Sequence, residues 1–176
     1  NLHTMKVLIL GAGKVGGSLA TALVNNNYDV SIVDQNINLL SELEEKLDIM
    51  TVNGHAAHKI SIKKAGADED TIVIAVTSSD EVNLIACQLA KKEFNVKKTI
   101  CRLTEKSYTD NLNVFGEDAI DVAINPENEV KEHLKELIMH PGTMQIEKFA
   151  DGKVSLVSVK ASKKGKLVDR ELKCIK

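Results

Sequence analysis

Five consecutive residues, Lys6-Val7-Leu8-Ile9-Leu10, run straight into three glycines spaced G-x-G-x-x-G: Gly11, Gly13 and Gly16. The apolar run reads as a buried strand, and beyond the glycines Leu19, Ala20, Leu23 and Val24 recur at helical spacing. Strand, tight turn, helix is the context that this glycine spacing needs before it points to a nucleotide. Each glycine then has a separate task. Gly11 allows the turn, Gly13 lets the backbone approach a pyrophosphate, and Gly16 brings the new helix close to the strand. The first-turn N–H groups of that helix have no intrahelical acceptor, and its dipole adds positive potential, so an anion is favoured there. Lys14 lies inside the turn, either as a cation within reach of phosphate or as an ordinary solvated lysine.

A second apolar run, Asp29–Val33, ends at Asp34, 23 positions after Gly11. A carboxylate at about that distance accepts hydrogen bonds from a ribose diol and repels a 2′-phosphate. The residues that follow, Gln35-Asn36-Ile37-Asn38, hold no arginine to receive such a phosphate, which favours NAD-type ligands over NADP-type ones. The competing reading makes Asp34 a cap for the next helix.

Strand and helix signals then alternate. Leu39, Leu40, Leu43 and Leu47 mark a helix, and Ile49–Val52 a strand that runs into the loop Asn53-Gly54-His55. A helix over residues 57–65 stops at Gly66. Thr71–Val76 is a β-branched strand of the sort covered on both faces. It ends at Thr77-Ser78-Ser79-Asp80-Glu81, where Ser78 and Glu81 read as a capping box, and the following helix turns Val82, Ile85, Ala86, Leu89 and Ala90 inward. Strands at Thr99–Leu103 and Ala119–Ile124 flank a short helix near Tyr108–Val114. Pro126 then opens an amphipathic helix with Val130, Leu134, Leu137 and Ile138 in one stripe, which stops at His140-Pro141-Gly142. Two strands about the turn Asp151-Gly152 follow.

The alternation predicts an α/β, Rossmann-like doubly wound parallel sheet, with a crossover helix and the start of a small carboxyl-terminal α+β domain. The division expected is residues 5–125 for nucleotide binding, 126–142 for the crossover and dimerisation helix, and 143–176 for the partial second domain. Residues 1–4 read as a remnant of expression. In such a sheet the ligand lies beyond the carboxyl ends of the strands, which gathers the residues after strands one to five around one crevice. Thr77 and Ser78 can offer hydroxyls and backbone groups there. Arg102 closes the fifth strand and faces either the crevice or an acidic neighbour.

A net charge of −2 with interspersed signs gives no electrostatic footprint for nucleic acid. No apolar run approaches the roughly 18 residues of a membrane span, and no direct membrane insertion is expected. Cys87, Cys101 and Cys174 sit in apolar patterns without a C-x-x-C pair, as reduced core residues of a cytoplasmic protein do. His55 and His58 have no third metal ligand beside them in sequence, so no metal site is assigned.

The residues that carry a family resemblance are Ile9-Leu10-Gly11-Ala12-Gly13-Lys14-Val15-Gly16-Gly17, Val33-Asp34, Asn53-Gly54-His55 and Ala65-Gly66-Ala67. Most specific is the run Ile74-Ala75-Val76-Thr77-Ser78-Ser79-Asp80-Glu81-Val82-Asn83-Leu84-Ile85-Ala86-Cys87. With these the chain resembles the RCK (KTN) domain family, and within it the peripheral regulatory subunits of bacterial Trk potassium-uptake systems. Phe149–Leu156 is similar to the start of that family's small carboxyl-terminal domain, as if the chain were a piece of a longer protein.

The resemblance implies bound NAD(H), with ATP or ADP as further ligands, contacted by Gly11 through Val15, Asp34, Thr77, Ser78 and Arg102. The neighbouring Gly16, Asn53 and Gly54 complete the candidate cofactor-binding set, and no catalytic residue is assigned. Relatives often carry a second arginine where this chain has Thr104, so that arginine's role does not transfer. The implied partners are a potassium-translocating membrane subunit of the Trk type and further copies of the chain, as a dimer or tetramer. The implied location is the inner face of the cell membrane. The reading from another class is an NAD-dependent oxidoreductase whose substrate domain is missing from this chain. A third is an oligomerisation module with a vestigial glycine loop, which leaves Asp34 unexplained.

Overall fold

The computed structural model describes residues 5–115, 119–139, 143–149 and 154–159. Residues 1–4, the helix stop expected at residues 140–142, the turn expected at Asp151-Gly152 and Cys174 lie outside them. The chain divides into two compact units, residues 1–126 and 127–176.

The first unit alternates β1 (Lys6–Leu10), α1 (Lys14–Asn25), β2 (Asp29–Asp34), α2 (Ile37–Glu44), β3 (Met50–Asn53) and α3 (Lys59–Lys64). It continues with β4 (Thr71–Ala75), α4 (Asp80–Phe94), β5 (Lys98–Arg102), α5 (Lys106–Thr109), a 3₁₀ turn at Leu112–Phe115 and β6 (Val122–Ile124). The six strands form one parallel sheet in the order β3-β2-β1-β4-β5-β6. This is the Rossmann order expected from the sequence. The last residue of the first unit opens α6 (Pro126–Met139), and in the second unit β7 (Thr143–Phe149) and β8 (Val154–Val159) follow as an antiparallel pair.

Because successive strand residues point to opposite faces, the continuous apolar runs feed two cores at once. Leu8, Leu10, Val33, Val73 and Ala75 point to one side, where Ile62 of α3 and Leu84, Cys87 and Ala90 of α4 cover them. Val7, Ile9, Val30, Ile32 and Ile74 point to the other, under Ala20 of α1 and Leu40 of α2. Burying one such aliphatic side chain contributes about 1.5–3 kcal/mol, so the sheet is held from both faces.

Three local expectations are corrected. Ile85 is half exposed and Leu84 takes the inward position of α4, on the buried face that it shares with Asp80, Asn83 and Cys87. The sixth strand starts at Val122, not Ala119. Before it the Thr99 hydroxyl donates to the Ala119 carbonyl and Asp121 accepts the Thr99 N–H at 2.6 Å, so side chains replace the ladder. The helix expected near Tyr108–Val114 is broken into α5 and the 3₁₀ turn.

At the amino edge of the sheet, Lys6 forms an ion pair with Asp68, which also accepts the Thr71 hydroxyl at 2.8 Å. The hydrogen bonds from Lys6 and then Thr71 hold the Asp68 carboxyl below the usual carboxylate range. A depressed acid stabilises the fold above its unfolded pKa and loses that contribution as pH falls through the folded value. The pair is substantially solvated, so Asp68→Asn is expected to cost less than about 1 kcal/mol at pH 7. Urea midpoints at pH 7 and pH 3 check this, with the gap between variant and parent shrinking at the lower pH.

Candidate functional site

At the carboxyl ends of β1 to β4, where the strand order reverses, lies a crevice of about 330 Å³. The glycine turn forms its floor. The Gly11 N–H donates to the Val33 carbonyl at 2.8 Å and the Val76 N–H to the Leu10 carbonyl at 2.9 Å, seating the turn between β2 and β4. Gly11 has φ +111°, and a Cβ there would come within 3.0 Å of the Thr77 nitrogen. A Cβ on Gly16 would lie 1.8 Å from the Gly11 carbonyl oxygen. Its closest partner is thus the turn itself, with Ile9 Cγ2 behind at 3.4 Å. Gly13 differs from both. It is the N-cap of α1 with φ −63°, and a Cβ there would meet nothing within 4 Å. Its missing side chain serves whatever lies above the turn. The first intrahelical bond runs from the Gly17 N–H to the Gly13 carbonyl, so the N–H groups of Lys14, Val15 and Gly16 precede the helical ladder.

Asp34 lies across from this turn. One carboxylate oxygen accepts the Ala12 N–H and the other the Asn36 N–H, both at 2.7 Å. A carboxylate offers about four acceptor positions, so two stay open to a diol. Capping of α2 belongs to Asn36, whose side chain accepts the Asn38 N–H at 3.0 Å, and not to Asp34.

The far wall is the β4–α4 loop. Here the N-cap is Ser79, which accepts the Val82 N–H at 3.2 Å and donates to Glu81 at 2.8 Å. The capping box expected at Ser78 is therefore displaced by one residue, because α4 begins at Asp80. The Thr77 hydroxyl donates to Asn83 Oδ1 at 2.7 Å, which commits its proton inside the protein, while Ser78 is exposed on the crevice wall.

Of the predicted residues, Gly11, Gly13, Asp34, Gly54, Thr77 and Ser78 line the crevice. Ala12, Lys14, Val15, Gly16, Asn53 and Arg102 are not among its lining residues. Asn53 instead donates to the carbonyls of Asp34 and Gln35 at 3.2 and 2.9 Å, tying the end of β3 to the end of β2. Arg102, half-buried, ends β5 and gives its carbonyl to Asn83 Nδ2 at 3.0 Å.

Sequence reasoning missed Leu39, His55, Asp80 and Asn83. The first two line the crevice. His55 Nδ1 accepts the Ala57 N–H at 3.1 Å, and the ring stacks on His58 at 4.5 Å. Asn83 is fully buried and Asp80 nearly so, at 7% exposure. Their spacing with Cys87 and Ala90 on the inner face of α4 was the available signal: polar residues in an apolar stripe.

Comparison with known proteins places this geometry. The model of the TrkA-N domain matches residues 7–126. The chain belongs to the TrkA-N family. It is 43% identical over 170 residues to the Trk system potassium uptake protein TrkA of Halomonas elongata, covering 96% of this chain and 37% of that protein. The TrkA of Vibrio alginolyticus is 42% identical over 175 residues, covering 98% and 38%. The chain thus spans under two fifths of the length of these relatives. Among solved structures, the TrkA-N domain of the inner membrane protein ybaL from Escherichia coli aligns with a TM-score of 0.67 at 18% identity, covering 78% of this chain and 99% of that one. The GsuK channel bound to NAD aligns with a TM-score of 0.65 at 16% identity, covering 86% and 26%. At these identities the structures speak to the TrkA-N fold alone.

Proposed function

We propose that the crevice binds NAD(H), with ADP and ATP as competing adenine nucleotides, and that the chain senses the nucleotide without turning it over. The observation that carries this is the hydrogen bond from the Ala12 N–H to the Asp34 carboxylate. It fixes an acceptor for a ribose diol directly beside a glycine turn open to a pyrophosphate. A GsuK structure with NAD and another with ADP support the same pair of ligand classes. Hydride transfer needs an acid or base beside the nicotinamide. The titratable side chains that line the described crevice are Asp34, engaged with the Ala12 and Asn36 N–H groups, and His55, engaged with the Ala57 N–H.

In this reading residues 5–125 are the nucleotide-binding domain, 126–142 a dimerising helix and 143–176 part of a further small domain. Val130, Leu134 and Ile138 of α6, each more than half exposed, supply the apolar stripe for a second copy. The relatives' name, Trk system potassium uptake protein, supports a part in potassium uptake, and the role proposed here is a cytoplasmic, peripheral one on a potassium-translocating membrane subunit. Asp34→Ala is expected to weaken NADH by about 1.5–3 kcal/mol, the range for a hydrogen bond to a charged group. Calorimetric titration checks it. Unchanged NADH affinity in a folded variant would remove Asp34 from the site.

A further inference from the structure

The nucleotide crevice is joined to the residue before α6 by a short chain of polar contacts that starts at the buried Asp80 behind the crevice wall and ends at the surface. Asp80 directly follows Ser79, the wall residue that caps α4. Its Oδ2 accepts the N–H groups of Thr104 and Glu105, both at 2.8 Å, and the Thr104 hydroxyl at 3.1 Å. The carbonyl of Thr104 in turn accepts Asn125 Nδ2 at 3.0 Å. Asn125 is the residue before Pro126, where α6 starts. Beside this chain the Asn83 amide ties the same wall, through the Thr77 N–H at 2.9 Å and the Thr77 carbonyl, to the carbonyl of Arg102.

A buried carboxylate at the first turn of a helix could be satisfied by that helix's own N–H groups. Here it reaches across to the loop after β5 instead. Losing these bonds would leave the buried Asp80 carboxylate short of partners, so the amino end of α4 and the loop after β5 are held to one another.

We infer that Asp80, Thr104 and Asn125 form a relay through which occupation of the crevice is felt at the start of α6. The inference rests on the functional reading above. A nucleotide held against Ser78 and Ser79 fixes the amino end of α4, Asp80 carries that order to Thr104, and Asn125 hands it to Pro126. Asp80 is a positioning residue in this scheme and does not touch the ligand.

Amide hydrogen exchange of the full chain, with and without saturating NADH, reads the relay directly. In the parent protein NADH is expected to slow exchange at least fivefold in residues 77–83, in residues 104–109 and in the first turns of α6. Asn125→Ala lies outside the crevice lining and is expected to keep NADH affinity within about twofold. It retains the ligand-dependent protection of residues 77–83 and 104–109 and loses that of α6. Thr104→Val, which keeps the N–H but not the hydroxyl, is the second variant if Asn125→Ala fails to fold, and is expected to weaken the protection of both distal segments. A merely structural role for Asn125 would raise α6 exchange equally with and without NADH. That result, or a parent protein that binds NADH with no distal change, would overturn the relay. Absence of calorimetric binding by NADH, NAD⁺, ATP and ADP would overturn the functional reading and the relay together.

Discussion

Gly16→Ala is expected to abolish stable folding of the first unit or lower its stability by at least about 3 kcal/mol, at the upper end of overpacking costs. The added methyl would lie 1.8 Å from the Gly11 carbonyl oxygen and 2.9 Å from its carbon. Both are backbone atoms of a turn already seated between β2 and the end of β4, by the Gly11 N–H to Val33 and the Val76 N–H to Leu10. Neither side can yield without unseating α1 from the sheet. Gly17→Ala is the control one position on. Its nearest neighbour is the end of the Leu43 side chain at 3.4 Å, and alanine favours the helix by about 1 kcal/mol over glycine. That variant should match or exceed the parent in urea melts. Equal stability of all three proteins would show that α1 is not packed against the turn as described.

Gly13→Ala has the opposite profile: an intact fold and a lost ligand. Its backbone is already in a conformation open to alanine, and the new methyl meets no protein atom within 4 Å. It projects over the turn on which a pyrophosphate would rest. NADH affinity is expected to fall about 100-fold, equivalent to about 2.7 kcal/mol, while the urea midpoint stays close to that of the parent. The two glycines thus separate a purpose within the protein from a purpose toward a ligand. Full NADH affinity in Gly13→Ala would place the phosphates elsewhere.

Much of this was legible in the sequence because it is written in local pattern. The β-branched runs, the glycine spacing and the stripes of α1 and α2 each follow from a few neighbouring residues. The strand order and the position of Asp34 then follow from fold-level rules. What was not legible depends on partners distant along the chain. Asp80 reads only as one residue of the run from Thr77 to Glu81, and only the fold shows that its carboxylate accepts the N–H groups of Thr104 and Glu105, 24 and 25 residues on. Asn83 reads as a flaw in an apolar stripe until the carbonyls of Thr77 and Arg102 are brought to it. Asn53 reads as a ligand contact but spends its amide on β2. His55 looks unremarkable in a two-histidine loop until its ring is placed against the crevice. Long-range hydrogen bonding decided each of these, and no local period records it.

The central claim is that Asp34 and the open turn at Gly13 together select a nucleotide with an unmodified adenosine ribose. Calorimetric titration of the full chain with NADH and with NADPH tests it most directly, since the two differ only by the 2′-phosphate that would meet the Asp34 carboxylate. The account predicts saturable NADH binding and NADPH binding at least about tenfold weaker, a difference of about 1.4 kcal/mol. Equal affinity for the two, or binding of neither, would contradict it.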